Sequence, residues 1–175
     1  VYVRRVLKYP GQITGCNVKA ATSVEELVDC FVCVSASKFH ALGVSLEVKK
    51  PVYLLDVERR QLVNMEKEKI KYLKLMEWNK ACLGEAKEIG IIVSWKKGQC
   101  NANLAMLLKR TLEAKGKKVY LLAFDAIEPE KLEGLKLDAL INVACPRIGL
   151  DDIQRFKIPI VNVTEFLKDL TLSEA

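Results

Sequence analysis

The sequence has one histidine, His40, and no hydrophobic run near the roughly 20 residues that a membrane-spanning helix needs. One histidine without partners at ligand spacing argues against a zinc site. The chain also lacks the G-x-S-x-G turn of serine hydrolases and the G-x-x-x-x-G-K-[ST] phosphate loop. No signal-peptide pattern follows Val1. We therefore expect no membrane association, and the common catalytic motifs assign no activity.

The composition is that of a soluble globular protein. Of the 175 residues, 50% are hydrophobic and 29% are charged, which excludes a disordered chain. The net charge of +6 is spread along the whole length. Because no zinc-finger spacing or RNA-binding motif accompanies it, we interpret the charge as a solvated surface and expect no direct contact with nucleic acid.

Six cysteines in a chain with an ordinary core favour a reducing, cytoplasmic setting over a disulfide scaffold. Cys30 and Cys33 lie within Cys30–Val34, an apolar, β-branched run that is typical of a buried strand, so we predict that both are packing residues. The same interpretation holds for Cys82 and Cys100. A Cys16–His40 pair is left open by the sequence.

Cys16 and Cys145 differ from the other cysteines because each follows an apolar run at a point where regular structure is interrupted. Gly15 precedes Cys16, and Pro146 follows Cys145 directly. Proline removes a ladder donor and ends a strand. We therefore place both thiols at the carboxyl ends of strands, where open α/β sheets bind ligands.

Short apolar runs alternate with helical patterns along the chain, which predicts an α/β fold with parallel sheets and right-handed crossovers. We expect two small βα domains, residues 1–88 and 89–175, the first incomplete at its start. The predicted strands are Gln12–Thr14, Cys30–Ser35, Val52–Leu55, Gly90–Ser94, Lys118–Ala123, Ala139–Val143 and Pro159–Val163.

Local signals predict four helices. A capping box at Ser23–Glu26 would open the first, and Met65–Lys87 carries a long helical pattern. Asn101–Lys115 has one apolar face and is followed by Gly116 as a stop signal. Thr164 is a good N-cap for a final short helix.

Four segments resemble, in the expected order, the archaeal form of the 2-(3-amino-3-carboxypropyl)histidine synthases, the family that begins diphthamide synthesis. The resemblance covers nearly the whole chain, and the last segment is the most specific. The segments are Gly11–Cys16, Phe39–Gly43, Gly90–Gln99, and Ala144–Ile148 with Asp151 and Asp152 after it.

The resemblance implies an architecture of three similar domains, of which this chain would contain the second and third. Each domain would contribute one cysteine to a 4Fe–4S cluster that cleaves S-adenosylmethionine. The resulting 3-amino-3-carboxypropyl radical would be transferred to a histidine of translation elongation factor 2. The family also implies a homodimer or pairing with a related subunit. With the first domain absent, we do not expect the chain to be active alone.

Carried over by position, Cys16 and Cys145 would be two of the three cluster ligands, as soft thiolates suit iron–sulfur clusters. His40, Gly98, Gln99 and Arg147 would lie near the cofactor. The Arg147 guanidinium would pair with the methionine carboxylate. Asp151 would cap the following helix or bind an ammonium group. No catalytic side chain is assigned.

Two alternatives remain at the level of sequence. A quinolinate-synthase-like protein would also use one cysteine from each of three domains, but without S-adenosylmethionine. A non-catalytic partner subunit of a split diphthamide enzyme would keep the fold and lack independent activity. The Cys-Pro-Arg and Phe-His-x-Leu-Gly segments favour the diphthamide interpretation over the first alternative.

Overall fold

A computed structural model describes residues 1–14, 17–96, 101–132 and 134–167. The chain forms two compact units, residues 1–74 and 75–175. This division falls inside a long helix, whereas the sequence analysis placed a domain boundary near Glu88. No helix among the described residues is long and apolar enough to span a membrane.

A three-stranded sheet with strand order β1-β2-β3 organises the first unit. β1 and β2 are parallel, and β3 runs antiparallel to β2. The hydroxyl of Ser37 accepts the N–H of Phe39 and so begins α2. The elements are α1 (Lys19–Thr22), β1 (Phe31–Ser35), α2 (Lys38–Glu47), β2 (Val52–Asp56) and β3 (Gln61–Asn64).

The prediction that β1 is a buried strand is wrong. Its burial alternates along the strand, and Val32 and Val34 are 55% and 67% exposed. Cys30 precedes the strand and is exposed. The prediction that it packs in the core is therefore wrong. The β-branched run was correctly assigned to a strand, but the local pattern did not reveal that one face would be left uncovered.

Two further expectations for the first unit are wrong, and one strand was missed. The predicted strand at Gln12–Thr14 is absent. Of its three residues, only Thr14 takes part in an isolated bridge, which it forms with Asn17. Ser23 is not a helix cap as predicted. It follows α1, which begins where the Asn17 side chain accepts the N–H of Lys19, and the next 3-10 turn, Glu25–Leu27, has Val24 at its N-cap position. β3 was not predicted because Gln61–Asn64 is short and largely exposed.

The second unit contains a fully parallel four-stranded sheet of order β5-β4-β6-β7. Every residue of β6 and β7 is buried, as the continuous apolar runs predicted. These features confirm the expected α/β class. The strands are β4 (Glu88–Ser94), β5 (Lys118–Phe124), β6 (Ala139–Asn142) and β7 (Ile160–Asn162).

The two long helices follow their sequence signals. α3 (Glu66–Glu85) lies within the predicted Met65–Lys87 segment. α4 (Ala102–Ala114) begins where the Asn101 side chain accepts the N–H of Leu104. It ends two residues before Gly116, whose φ of 79° suits glycine and whose N–H donates to the carbonyl of Glu113 in the last turn. Both helix predictions are therefore confirmed.

Only short 3-10 turns lie between the last strands in the described part of the chain. Residues 163–167 are helical, so the final helix begins one residue before the predicted cap at Thr164. The 3-10 turns of this unit are Pro129–Leu132, Pro146–Gly149 and Ile153–Arg155.

Candidate functional site

Most strands end in a small polar residue that turns the chain away from the sheet. In each case the side-chain oxygen accepts the N–H of the residue two positions later, a local Asx or Ser turn. This bond directs the following loop, and in the parallel sheet such loops emerge at the carboxyl edge. The turn residues are Ser35, Asp56, Asn64, Ser94 and Asn142, with N···O distances of 2.8–3.1 Å.

Cys145 lies in the loop after β6, at the carboxyl edge of the second sheet. Its thiol is half-buried, and Pro146 directly after it starts a 3-10 turn. The strand-end position predicted from the sequence is therefore confirmed. A partly exposed cysteine at this edge offers one soft donor to a metal or cluster.

Two buried asparagines hold the Cys145 loop. Asn142 Nδ2 donates to the carbonyl of Cys145 at 2.9 Å and to Asn162 Oδ1 at 2.6 Å. Asn162 Nδ2 donates to the carbonyl of Pro146 at 2.9 Å. Sequence reasoning missed both residues, although an asparagine inside each apolar run, Ile141-Asn-Val143 and Val161-Asn-Val163, was an available signal.

Arg147 projects from the same loop and pairs with Asp151. Its Nε donates to Asp151 Oδ2 at 2.9 Å, and 59% of the Arg147 side chain is exposed. The predicted capping role of Asp151 is wrong, because Asp152 occupies the N-cap position of the following 3-10 turn. A solvent-accessible guanidinium two residues from the cysteine is chemically suited to a carboxylate ligand.

In the first unit, His40 lies in the wall of a cavity of about 520 Å³. The cavity lies beside β1, and its lining includes Gln12, Ile13, Cys33 and Ser35. Gly15 and Cys16 lie outside the described residues, although their neighbours Thr14 and Asn17 exchange both backbone hydrogen bonds.

Cys33 lies in β1 and is half-buried. Burial raises the pKa of its thiol to about 11, so it carries little thiolate near neutral pH. Cys82 is half-buried on α3. Gly98, Gln99 and Cys100 lie outside the described residues. Among the residues that the structure does describe, no group of three or more His, Cys, Asp or Glu could hold a metal ion.

The sequence model of the diphthamide synthesis protein family matches residues 2–174. The 2-(3-amino-3-carboxypropyl)histidine synthase of Pyrococcus horikoshii is 30% identical over 159 residues, which cover 91% of this chain and 45% of that protein. The Methanocaldococcus jannaschii synthase is 29% identical, with 90% and 45% covered. Subunit 1 of the Saccharomyces cerevisiae synthase is 24% identical, with 94% and 40% covered.

A crystal structure of Dph2 from Pyrococcus horikoshii with a 4Fe–4S cluster is similar to this chain, with a TM-score of 0.75 and 27% identity. The match covers 89% of this chain and 44% of the Dph2 chain. The chain thus spans less than half the length of these relatives. A family match along almost all of its length nevertheless shows that the chain belongs to the diphthamide synthesis protein family.

Proposed function

We propose that this chain is part of an enzyme that transfers a 3-amino-3-carboxypropyl group from S-adenosylmethionine to a histidine of translation elongation factor 2. This is the first step of diphthamide synthesis. The observation that carries the proposal is the position of Cys145, at the carboxyl edge of a parallel sheet in a family with a cluster-containing member.

In this proposal, Cys16 and Cys145 bind the 4Fe–4S cluster together with a third thiolate from outside this chain. Residues 1–88 and 89–175 would be the second and third of three similar domains. When bound, the cluster supplies an open iron for S-adenosylmethionine and the electron that breaks one of its carbon–sulfur bonds. Cys145 is half-buried at the carboxyl edge of its sheet, which fits a ligand role.

The remaining candidates would bind and orient the substrate. Arg147 would exchange part of its pairing with Asp151 for the methionine carboxylate, to which its planar fork is matched. His40, Gly98 and Gln99 would line the cofactor site. Their roles are carried over from the family by position.

The enzyme would act in the cytoplasm, with elongation factor 2 as its protein substrate and a second copy or a related subunit as its partner. Curated yeast relatives are named as subunit 1 of the synthase, which supports a multi-subunit assembly. We set aside the quinolinate-synthase-like alternative because the family match is to diphthamide synthesis.

Anaerobic reconstitution of the full-length natural polypeptide with iron and sulfide tests the ligand assignment. We expect the visible absorbance of a 4Fe–4S cluster, and its loss in Cys16→Ser and Cys145→Ser. Cys30→Ser is the matched control, since Cys30 is an exposed cysteine beside β1 and should leave the cluster unchanged. A normal cluster spectrum in Cys145→Ser would refute the assignment.

Incubation of the reconstituted protein with S-adenosylmethionine labelled in its aminocarboxypropyl group tests the reaction. Label should enter elongation factor 2 at one histidine. The proposed transfer is contradicted if the cluster is intact and all the label stays on S-adenosylmethionine. The same result must hold after polypeptides that co-purify with the protein are added.

The role of Arg147 is tested by binding of S-adenosylmethionine. A hydrogen bond to a charged group contributes about 1.5–3 kcal/mol, so Arg147→Ala should weaken binding by about tenfold or more. Arg155→Ala is the control, because Arg155 is an exposed arginine on the following turn, paired with Asp152 and Glu130. If Arg147→Ala and Arg155→Ala bind S-adenosylmethionine with equal affinity, Arg147 is not part of the binding site.

A further inference from the structure

We propose that Asn142 and Asn162 are positioning residues that hold the Cys145 sulfur in place for the cluster, an inference that rests on the proposed function. The two side chains are 1% and 3% exposed and end adjacent strands of the parallel sheet. Neither side-chain amide bonds to the backbone of the paired strands. Both direct their Nδ2 groups at carbonyls of the Cys145 loop.

These bonds anchor the backbone on both sides of the Cys145 Cα. On the amino side, Asn142 Oδ1 accepts the N–H of Ala144 at 3.1 Å. On the carboxyl side, Asn142 and Asn162 bind the carbonyls of Cys145 and Pro146, both at 2.9 Å. With three consecutive residues held, the direction of the Cys145 side chain depends mainly on one torsion, χ1.

The bond between the two amides makes the anchors a single unit. Asn142 Nδ2 donates to Asn162 Oδ1 at 2.6 Å, so a displacement of one amide moves the other. A buried amide is costly unless its bonds are satisfied, and satisfied networks are rigid. An apolar pair could fill this space, but it would leave the loop carbonyls without donors.

Gly149 supplies the space that this network occupies. A Cβ at position 149 would clash with the Asn162 side chain and lie only 2.5 Å from its Cγ and 2.6 Å from its Nδ2. Gly149 has no positive φ that would itself demand glycine. Its small size therefore serves the close approach of Asn162 to the loop.

The test compares three buried asparagines in the same unit of the full-length protein. Asn142→Ala and Asn162→Ala remove loop anchors. Asn79→Ala is the matched control, because the Asn79 amide is also buried and donates at 2.9 Å to a carbonyl, that of Ile160, away from the Cys145 loop. Asn142→Leu and Asn162→Leu keep roughly the side-chain volume without burying a charge and serve if the alanine variants fold poorly.

The main measurement is the rate at which a chelator removes iron from the reconstituted cluster, with the electron paramagnetic resonance spectrum of its reduced state. Loss of groups that orient a metal ligand typically weakens binding by about 10–100-fold. We expect iron loss to be about tenfold faster or more, with altered g-values, in the Asn142 and Asn162 variants. The Asn79 variant should lose thermal stability but keep the wild-type rate and spectrum.

A second measurement needs no cluster. In the metal-free protein, the rate of Cys145 alkylation, mapped by mass spectrometry, should change when either anchor is removed and stay constant in Asn79→Ala. If the wild-type protein assembles no cluster, the proposed function fails, and alkylation alone decides whether the asparagines position the thiol. Equal alkylation rates in all variants would overturn the inference.

A double substitution separates positioning from stability. Gly149→Ala should destabilise the protein through its clash with Asn162. Adding Asn162→Ala relieves the clash, so thermal stability should recover relative to Gly149→Ala, while iron loss stays as fast as in Asn162→Ala. Recovery of both stability and slow iron loss would show that Asn162 is only structural and would refute the proposal.

Discussion

Replacing Gly90 with alanine would insert a methyl group where three leucine side chains converge in the second unit. Gly90 lies in β4 beside Leu140 of β6, the strand that leads to Cys145. A Cβ at this position would lie 2.8 Å from Leu140 and 2.9 Å from both Leu122 and Leu137. All three contacts are shorter than carbon atoms tolerate, so the leucines must shift together.

The change in the free energy of unfolding caused by Gly90→Ala is the sum of two opposing effects. Forcing a methyl group into a packed core costs about 1–3 kcal/mol. Exchanging glycine for alanine in a strand returns about 0.5–1 kcal/mol by reducing the entropy of the unfolded chain. Three simultaneous short contacts place the cost in the upper part of its range, about 2–3 kcal/mol. We therefore expect Gly90→Ala to lower the free energy of unfolding by about 1–2.5 kcal/mol, or the Tm by roughly 4–20 °C for a unit of this size.

Thermal and urea denaturation of the two variants Gly90→Ala and Gly84→Ala checks this reasoning. Gly84 lies near the end of α3, and a Cβ there would meet nothing within 4 Å. The same chemical change should therefore stabilise the protein by roughly 0.5 kcal/mol at Gly84. If Gly90→Ala is as stable as wild type, the packing of β4 against β6 described above is wrong.

Three further predictions follow from local chemistry. Because burial raises the pKa of Cys33 to about 11, its alkylation should be slow at pH 8 and rise about tenfold per pH unit; rapid labelling at pH 8 would contradict this. Hydrogen bonds from the N–H groups of Glu88 and Lys87 lower the pKa of Asp138, so its contribution to stability is complete above the ordinary carboxyl pKa and is lost as pH falls through the lowered value. In Asp138→Asn, the free energy of unfolding measured by urea denaturation should therefore change less with pH in the acid range than in the wild-type protein. Asn101→Ala should lower stability by about 1 kcal/mol through loss of the α4 cap, whereas Asn101→Ser should not.

Local signals predicted much of the second unit. Continuous apolar runs located β4, β6 and β7, because strands buried on both faces need no alternation. A similar run located β5, although most of that strand is exposed or half-buried. Asn101 and Gly116 marked the ends of α4 through bonds within one turn. The first unit was less predictable. The Ser23–Glu26 pattern indicated a helix start, but α1 begins earlier, after Asn17. β3 is largely exposed, so no hydrophobic pattern marked it as a strand.

For the candidate site, the sequence alone located Cys145 at a strand end, because Pro146 after the apolar run removes a ladder donor and interrupts regular pairing. It also indicated the family through segments whose order matches. Both conclusions depend on residue types and on neighbours along the chain, and they required no knowledge of which strands pair.

Only the tertiary structure decided what holds that cysteine. Asn142 and Asn162 are far apart in sequence, and they meet because β6 and β7 pair in parallel with these two residues in register. The structure likewise distinguished Cys33 from Cys30 by burial. Strand order and packing determine such contacts, and neither is encoded in the local pattern around any one residue.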